Sequence, residues 1–297
     1  MAKSTDILCI GSVLWDVIGR SGAAMRVGSD VPGRITRQPG GVALNIAMTL
    51  RRFALHPVLL TSIGRDEEGE ELIAAVERLG MATEHIYRSD DLPTDIYMAV
   101  EGANGLIAAI ADAHSLESAG DKILHPLSDG RLGCTAAPYS GLIALDGNLT
   151  EDLLAQIAQS PLFAATDLRV APASPGKAER LLPLLSCPHA TIYVNLEEAC
   201  LLCQETFDTA PHAAQAMLAR GAANVLVTDG GKAASHGSAN GVIYADPPQV
   251  LVTRVTGAGD TYMAAHIAAE ARGEEPETAL QTALRAAADY VSGDVRT

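Results

Sequence analysis

The feature that most constrains the fold is an alternation: short apolar runs of strand length give way repeatedly to segments with the apolar spacing of an amphipathic helix. Residues 6–12 read as a buried strand, 45–53 as a helix opening after Gly40-Gly41, 58–63 as a strand and 67–79 as a helix stopped by Gly80. The second half repeats the rhythm, with strands at 141–145, 162–166, 191–194 and 225–228 and helices at 150–158, 177–185, 197–203 and 210–220. Strands near Val242 and Val250 and further helices follow. A strand, a crossover helix and a second strand build a parallel sheet, which needs helices on both faces. The expected fold class is therefore α/β, a doubly wound, mostly parallel sheet with ligands beyond the carboxyl ends of its strands. Two stretches, 16–38 and 93–114, break the rhythm with alternating, β-rich patterns and the turn pair Asn104-Gly105. They are read as strands of a small β-sheet lid inserted in one domain spanning 1–297.

Composition narrows the function classes. Apolar residues at 48% and charged residues at 19% fit a packed globular enzyme and exclude a disordered chain. A net charge of −15 argues against a nucleic-acid partner, and no apolar run reaches the length of a membrane span. Residues 1–6 lack signal-peptide character, so the expectation is a cytoplasmic protein with no membrane partner. The five cysteines lack framework spacing, which predicts reduced thiols. Cys187, His189, Cys200 and Cys203 have the residue types of a zinc site, but the last two fall on an apolar helix and no second tight pair exists.

The loop Thr256-Gly257-Ala258-Gly259-Asp260 lies between the strand-like 250–253 and an alanine-rich helix. Residues with little side chain let backbone amides face a cavity at a helix N-terminus, where the dipole favours an anion. Asp260 then stands on the first turn, placed to take a hydroxyl proton beside a bound phosphate, and the dipole is expected to keep it ionised. The loop alone is equally compatible with the N-terminal cap of a buried helix.

Four motifs in order resemble the ribokinase (PfkB) family of sugar and nucleoside kinases, over nearly the full length. Gly40-Gly41-Val42-Ala43-Leu44-Asn45-Ile46-Ala47 is similar to its Gly-Gly-x-x-x-Asn-x-Ala signature, Asn195-Leu196-Glu197-Glu198 to Asn-x-x-Glu, Thr228-Asp229-Gly230-Gly231 to its nucleotide loop, and Gly257-Ala258-Gly259-Asp260 to its C-terminal signature. The resemblance implies ATP and Mg²⁺, with Asp260 as base and Gly257, Ala258 and Gly259 beside it in the anion hole. It implies acceptor binding by Ser12, Asp16, Gly40, Gly41 and Asn45. For the nucleotide it implies Asn195, Glu198, Thr228, Gly230, Thr256, Gly257, Gly259 and Ala288, with Glu198 holding the metal through water. Arg254 stands where family members often carry an acid that helps bind a monovalent cation, which puts potassium activation in doubt. Asp229 and Ala233 depart from the common leucine and glycine of the nucleotide loop.

Within the family, the stretches 105–112, 145–149 and 172–178 resemble pseudouridine kinases and add Asp112 and Asn148 as polar groups near the substrate. The implied reaction is phosphorylation of a nucleoside 5′-hydroxyl, most similar to that of pseudouridine, with other sugars or nucleosides as alternatives. A non-catalytic sensor on the same fold, or a dinucleotide oxidoreductase, are readings from other classes. Retention of Asn195, Glu198 and Asp260 argues against the first, and the missing glycine fingerprint after Ile10 against the second. Apolar alternate positions on the lid lead to the expectation of a homodimer through it.

Overall fold

The computed structural model describes residues 7–26 and 28–293. The strands are β1 (Ile7–Ile10), β2 (Leu14–Arg20), β3 (Arg34–Gly40), β4 (Pro57–Leu60), β5 (Ser62–Gly64), β6 (Tyr87–Ser89), β7 (Ile96–Gly102), β8 (Gly105–Asp112), β9 (Leu142–Asp146), β10 (Asp167–Ala171), β11 (Ala190–Asn195), β12 (Asn224–Asp229), β13 (Lys232–Ser238) and β14 (Gly241–Ala245). The α-helices are α1 (Val42–Arg52), α2 (Glu67–Arg78), α3 (His114–Ala119), α4 (Glu151–Gln159), α5 (Leu182–Leu185), α6 (Leu196–Cys203), α7 (Ala210–Ala219), α8 (Ala258–Ala271) and α9 (Pro276–Ser292).

The central sheet runs β14-β13-β12-β11-β10-β9-β1-β4, parallel from β12 to β4 and antiparallel only at the β13 and β14 edge. Ile10 pairs with Leu60 on one side and Leu145 on the other, so β1 joins the early strand β4 to the later run that begins with β9. The strand order reverses there, and the crevice of the sheet opens at the carboxyl ends of β1 and β9. Side chains of β1 alternate between two cores. Leu8 and Ile10 pack with the apolar residues of α3 to α7, whereas Ile7 and Cys9 pack with α1, α2, α8 and α9. Helix α8 is buried without a break from Thr261 to Ala269, and its alanines let α9 and α1 lie close against it.

The lid is a separate sheet, ordered β3-β2-β7-β8. Its β2 and β7 pair in parallel, Trp15 opposite Ile96, and the other pairs are antiparallel. β2 begins two residues before the expected insertion and β3 ends two after it. Register places Ile35, Met98 and Ile110 on one face, and all three are exposed.

Three sequence expectations fail. Residues 162–166 form a turn, with the Thr166 hydroxyl returned to the Phe163 carbonyl at 2.7 Å; the strand is Asp167–Ala171, where Asp167 and Arg169 interrupt the apolar pattern that would have revealed it. The segment near Val250 has no regular structure, because Pro247 and Pro248 remove backbone donors just after β14 ends. The helix expected over 177–185 is a 3₁₀ segment, Pro175–Leu181, followed by α5, restarted at Pro183.

Candidate active site

At the carboxyl end of β1 the chain turns at Gly11, φ 148°, where a Cβ would fall 2.2 Å from that of Asp146 at the end of β9. Only glycine fits there, and the close approach lets Asp146 take the Ser12 amide at 2.7 Å and the Ser12 hydroxyl at 2.5 Å. The Asn148 amide donates to the other oxygen of Asp146 at 2.8 Å. Ser12 Oγ accepts from Val42 N at 2.9 Å and from Asn148 Nδ2 at 3.0 Å, so its one donor and two lone pairs are all used within the protein. Asn148 Oδ1 accepts from Lys177 Nζ at 2.5 Å, which leaves the asparagine one lone pair. Asp146 and Lys177 are the residues the motif reading passed over. Both lay inside stretches that carried the resemblance, and a buried acid just after an apolar strand was the signal.

The glycine pair works next to this hub. A Cβ on Gly40 would come within 2.0 Å of Asp16 Oδ2, and Gly41, φ 99°, caps α1 where a Cβ would meet the Ser12 carbonyl at 2.4 Å. The pair therefore lets β3 close over Asp16 and β1. Burial pushes the Asp16 carboxyl up to about 6. Trp15, its neighbour, lies under the Arg37 guanidinium at 3.9 Å and donates to the Glu68 carbonyl at 2.9 Å, fixing β2 to α2.

From α1, Asn45 Nδ2 donates to Asp260 Oδ2 at 2.9 Å, across 215 residues of chain. The half-buried Asp260 is pushed up to about 7 by burial, against the Asn45 hydrogen bond, with the charges of Asp146, Asp16 and Glu198 adding to the rise. Loss of water and neighbouring acids thus act against the helix dipole, which the sequence reading expects to keep this carboxyl ionised. Gly257, φ 87°, caps α8, a Cβ on Gly259 would meet nothing within 4 Å, and among the described residues the Gly257 and Gly259 amides have no protein acceptor. The Ala258 amide is not available to an anion, since it donates to the Val255 carbonyl at 3.0 Å.

On the other side of the crevice Asn195 and Glu198 form a reciprocal capping box on α6. Glu198 N donates to Asn195 Oδ1 at 2.9 Å and Asn195 N to Glu198 Oε2 at 2.8 Å. Glu198 is buried, and burial raises its carboxyl to about 7 despite that hydrogen bond. Thr228 pairs with Asn195 in the sheet, and Gly230, φ 56°, makes the turn into β13, where Lys232 meets Asp229 at 3.0 Å. Thr256 is exposed, and Ala288 is buried within α9. Asp112 stands exposed at the end of β8, 2.8 Å from His114. Asp95, which no motif covered, is buried where β7 leaves the body and takes the Ser115 and Leu116 amides, both at 3.0 Å, tying the lid to α3.

A parallel sheet with a strand-order reversal, a glycine loop at a helix start and a carboxylate held by asparagine fit the class of ribokinase-like folds. The pfkB family of carbohydrate kinases matches residues 4–292, and the chain belongs to that family. Bifunctional protein HldE of Hyphomonas neptunium is 27% identical over 96% of this chain but only 60% of its own length. Pseudouridine kinase of Escherichia coli is 27% identical over 89% of this chain and 83% of its own, and that of Arabidopsis thaliana 28% over 37% and 28%. The chain thus spans less than two thirds of HldE and of the Arabidopsis enzyme. Among solved structures, Arabidopsis ribokinase complexed with ribose and ATP superposes with a TM-score of 0.79 at 19% identity, covering 99% of this chain and 94% of that one. A carbohydrate kinase from Agrobacterium tumefaciens gives 0.78 at 23%, covering 99% and 94%. Among the described residues no helix is long and apolar enough to cross a membrane.

Proposed function

We propose that the protein is an ATP-dependent kinase that phosphorylates the 5′-hydroxyl of pseudouridine. The observation that carries the kinase half is the Asn45 to Asp260 hydrogen bond at the open start of α8, which joins the acceptor side of the crevice to the anion loop. Asp260 takes the hydroxyl proton, and a value near 7 places it where a general base operates at neutral pH. Asp16, under Gly40, accepts the ribose diol together with Asn45. The free amides of Gly257 and Gly259 face the transferred group, and positioning there matters more than base strength. The donor set fits a hard cation: carboxylates raised by burial, and for Asp260 by neighbouring acids as well, are relieved by positive charge. Mg²⁺, when bound with the nucleotide, supplies that charge to the phosphate oxygens, and Glu198 would hold it through water. Arg254, committed to the Tyr290 carbonyl at 2.8 Å, supports a reaction without a monovalent cation.

The substrate half rests on the Ser12, Asp146, Asn148 and Lys177 array and on the similarity to pseudouridine kinases. Lys177 Nζ keeps N–H donors for a uracil carbonyl. The remaining lone pair of Asn148 Oδ1, or Asp112 from the lid, accepts the ring N–H that pseudouridine has and uridine lacks. Leaving that acceptor unpaired costs ~1–3 kcal/mol, so kcat/KM for pseudouridine should exceed that for uridine by about tenfold or more. Equal efficiency on both, or higher efficiency on ribose or fructose, overturns the acceptor and leaves the kinase. The exposed Ile35, Met98 and Ile110 face supports a homodimer closing over the crevice, to be checked by solution mass at micromolar concentration. A strict monomer removes that reading.

A further inference from the structure

The last turn of α9 reaches the anion loop through Tyr290, whose hydroxyl donates to the Thr256 carbonyl at 2.9 Å. Val255-Thr256-Gly257-Ala258 is a type II turn: the Ala258 amide returns to the Val255 carbonyl, and Gly257 has φ 87° and ψ 0°. What separates type II from type I is the orientation of the central peptide, here Thr256 to Gly257. That peptide is planar and trans, so its carbonyl and its N–H point in opposite directions. Holding the carbonyl against Tyr290 therefore aims the Gly257 N–H away from α9, and among the described residues that N–H has no protein acceptor.

The clamp is itself fixed. The Arg254 guanidinium lies 3.9 Å from the centre of the Tyr290 ring, and its Nε donates to the Tyr290 carbonyl. The Thr253 amide and hydroxyl meet the Val291 carbonyl at 2.8 and 3.0 Å. A Cβ on Gly257 would lie 2.6 Å from the Tyr290 hydroxyl, so tyrosine and glycine are fitted to one another.

We propose that Tyr290 is a positioning residue for phosphoryl transfer: its hydroxyl selects the turn orientation that presents the Gly257 amide to the transferred group, while Arg254 holds its ring. The inference rests on the kinase reading above and concerns a residue outside every motif. Tyr290→Phe keeps the ring and its stack on Arg254 and removes only the hydroxyl. The expected result is a kcat lower by about tenfold to a hundredfold, less than the loss of an oxyanion donor outright, with KM for nucleotide and acceptor within about twofold of wild type. A wild-type kcat, or a loss carried wholly by KM, overturns the proposal.

A second measurement needs no turnover. On titration with inorganic phosphate, followed by amide NMR, the Gly257 and Gly259 signals should move in wild type, whereas in Tyr290→Phe only Gly259 should respond. A Gly257 signal that moves equally in both proteins, or in neither, also overturns it. Wild-type protein that phosphorylates no acceptor while Gly257 still responds sinks the kinase reading alone.

Discussion

The two edges of the central sheet both hold ionisable groups out of water, and they treat the charge in opposite ways. At the amino edge the buried Arg169 donates through Nε and Nη2 to the two oxygens of Asp167, at 2.7 and 2.6 Å, and through Nη1 to Glu270 and to Tyr193 Oη at 3.1 Å. Burial alone would lower its pKa, but Tyr193, Asp167 and Glu270 hold it above the ordinary value. The Tyr193 hydroxyl lies 3.0 Å from His266 Nδ1, and burial, with His236 and Arg169, pushes that imidazole down to about 3, so it stays neutral. At the carboxyl edge Asp16, Asp146, Glu198 and Asp260 gather with no ion pair to any of them among the described residues. One edge closes its charge account internally and serves as scaffold. The other leaves like charges facing each other, which makes it receptive to a cation and to a proton. Helix α8 spans the two, with Asp260 at one end and Glu270 at the other.

The largest expected effect comes from the unbalanced edge. Asp260→Asn should lower kcat by about a hundredfold to ten-thousandfold and leave nucleotide affinity near normal, because the shape stays and the base goes. Steady-state kinetics with a nucleotide-binding assay checks this, and wild-type turnover would end the assignment. At the balanced edge Arg169→Met should act on stability instead. Asp167 and Glu270 keep contact with water, so the loss should sit near the lower end of the roughly 3–5 kcal/mol for breaking a buried pair, a fall in Tm of about 6 °C or more. If calorimetry shows Tm within about 2 °C of wild type, the amino edge is no scaffold.

The smallest effect sharpens the contrast. The folded-state value of Asp260, about 7, lies above its ordinary 3.8, so this group contributes stability that is full below about pH 4 and lost as pH rises through 7. The amide of the Asp260→Asn variant cannot titrate, so the Tm of that variant relative to wild type should rise by about 2 °C or more between pH 5 and pH 8 in metal-free buffer. A difference flat with pH would mean that Asp260 is not held among uncompensated acids.

Sequence made the candidate catalytic edge legible and the scaffold edge invisible, for a physical reason. Gly40, Gly41, Gly257 and Asp260 lie in short contiguous motifs, because backbone geometry at a strand end or helix start is a local demand. Arg169 and Glu270 stand 101 residues apart, and each alone reads as a surface charge. Arg169 even concealed its own strand by breaking the apolar run. Between these extremes lies Ser12. Its position after a strand was readable, but its full commitment to Asp146, Asn148 and Val42 depends on contacts that no local pattern encodes.

The placement of β1 between β4 and β9 has a consequence for how the chain is made. Ser12 leaves the ribosome 134 residues before Asp146, a wait of roughly ten seconds at ordinary translation rates. Until then one edge of β1 has no strand beside it, and the Ser12 amide and hydroxyl lack their acceptor. Of the strand pairings in the central sheet this seam spans the most sequence, and it is the one on which the candidate acceptor pocket is built, so a nascent chain that pairs β1 wrongly would hold no assembled pocket.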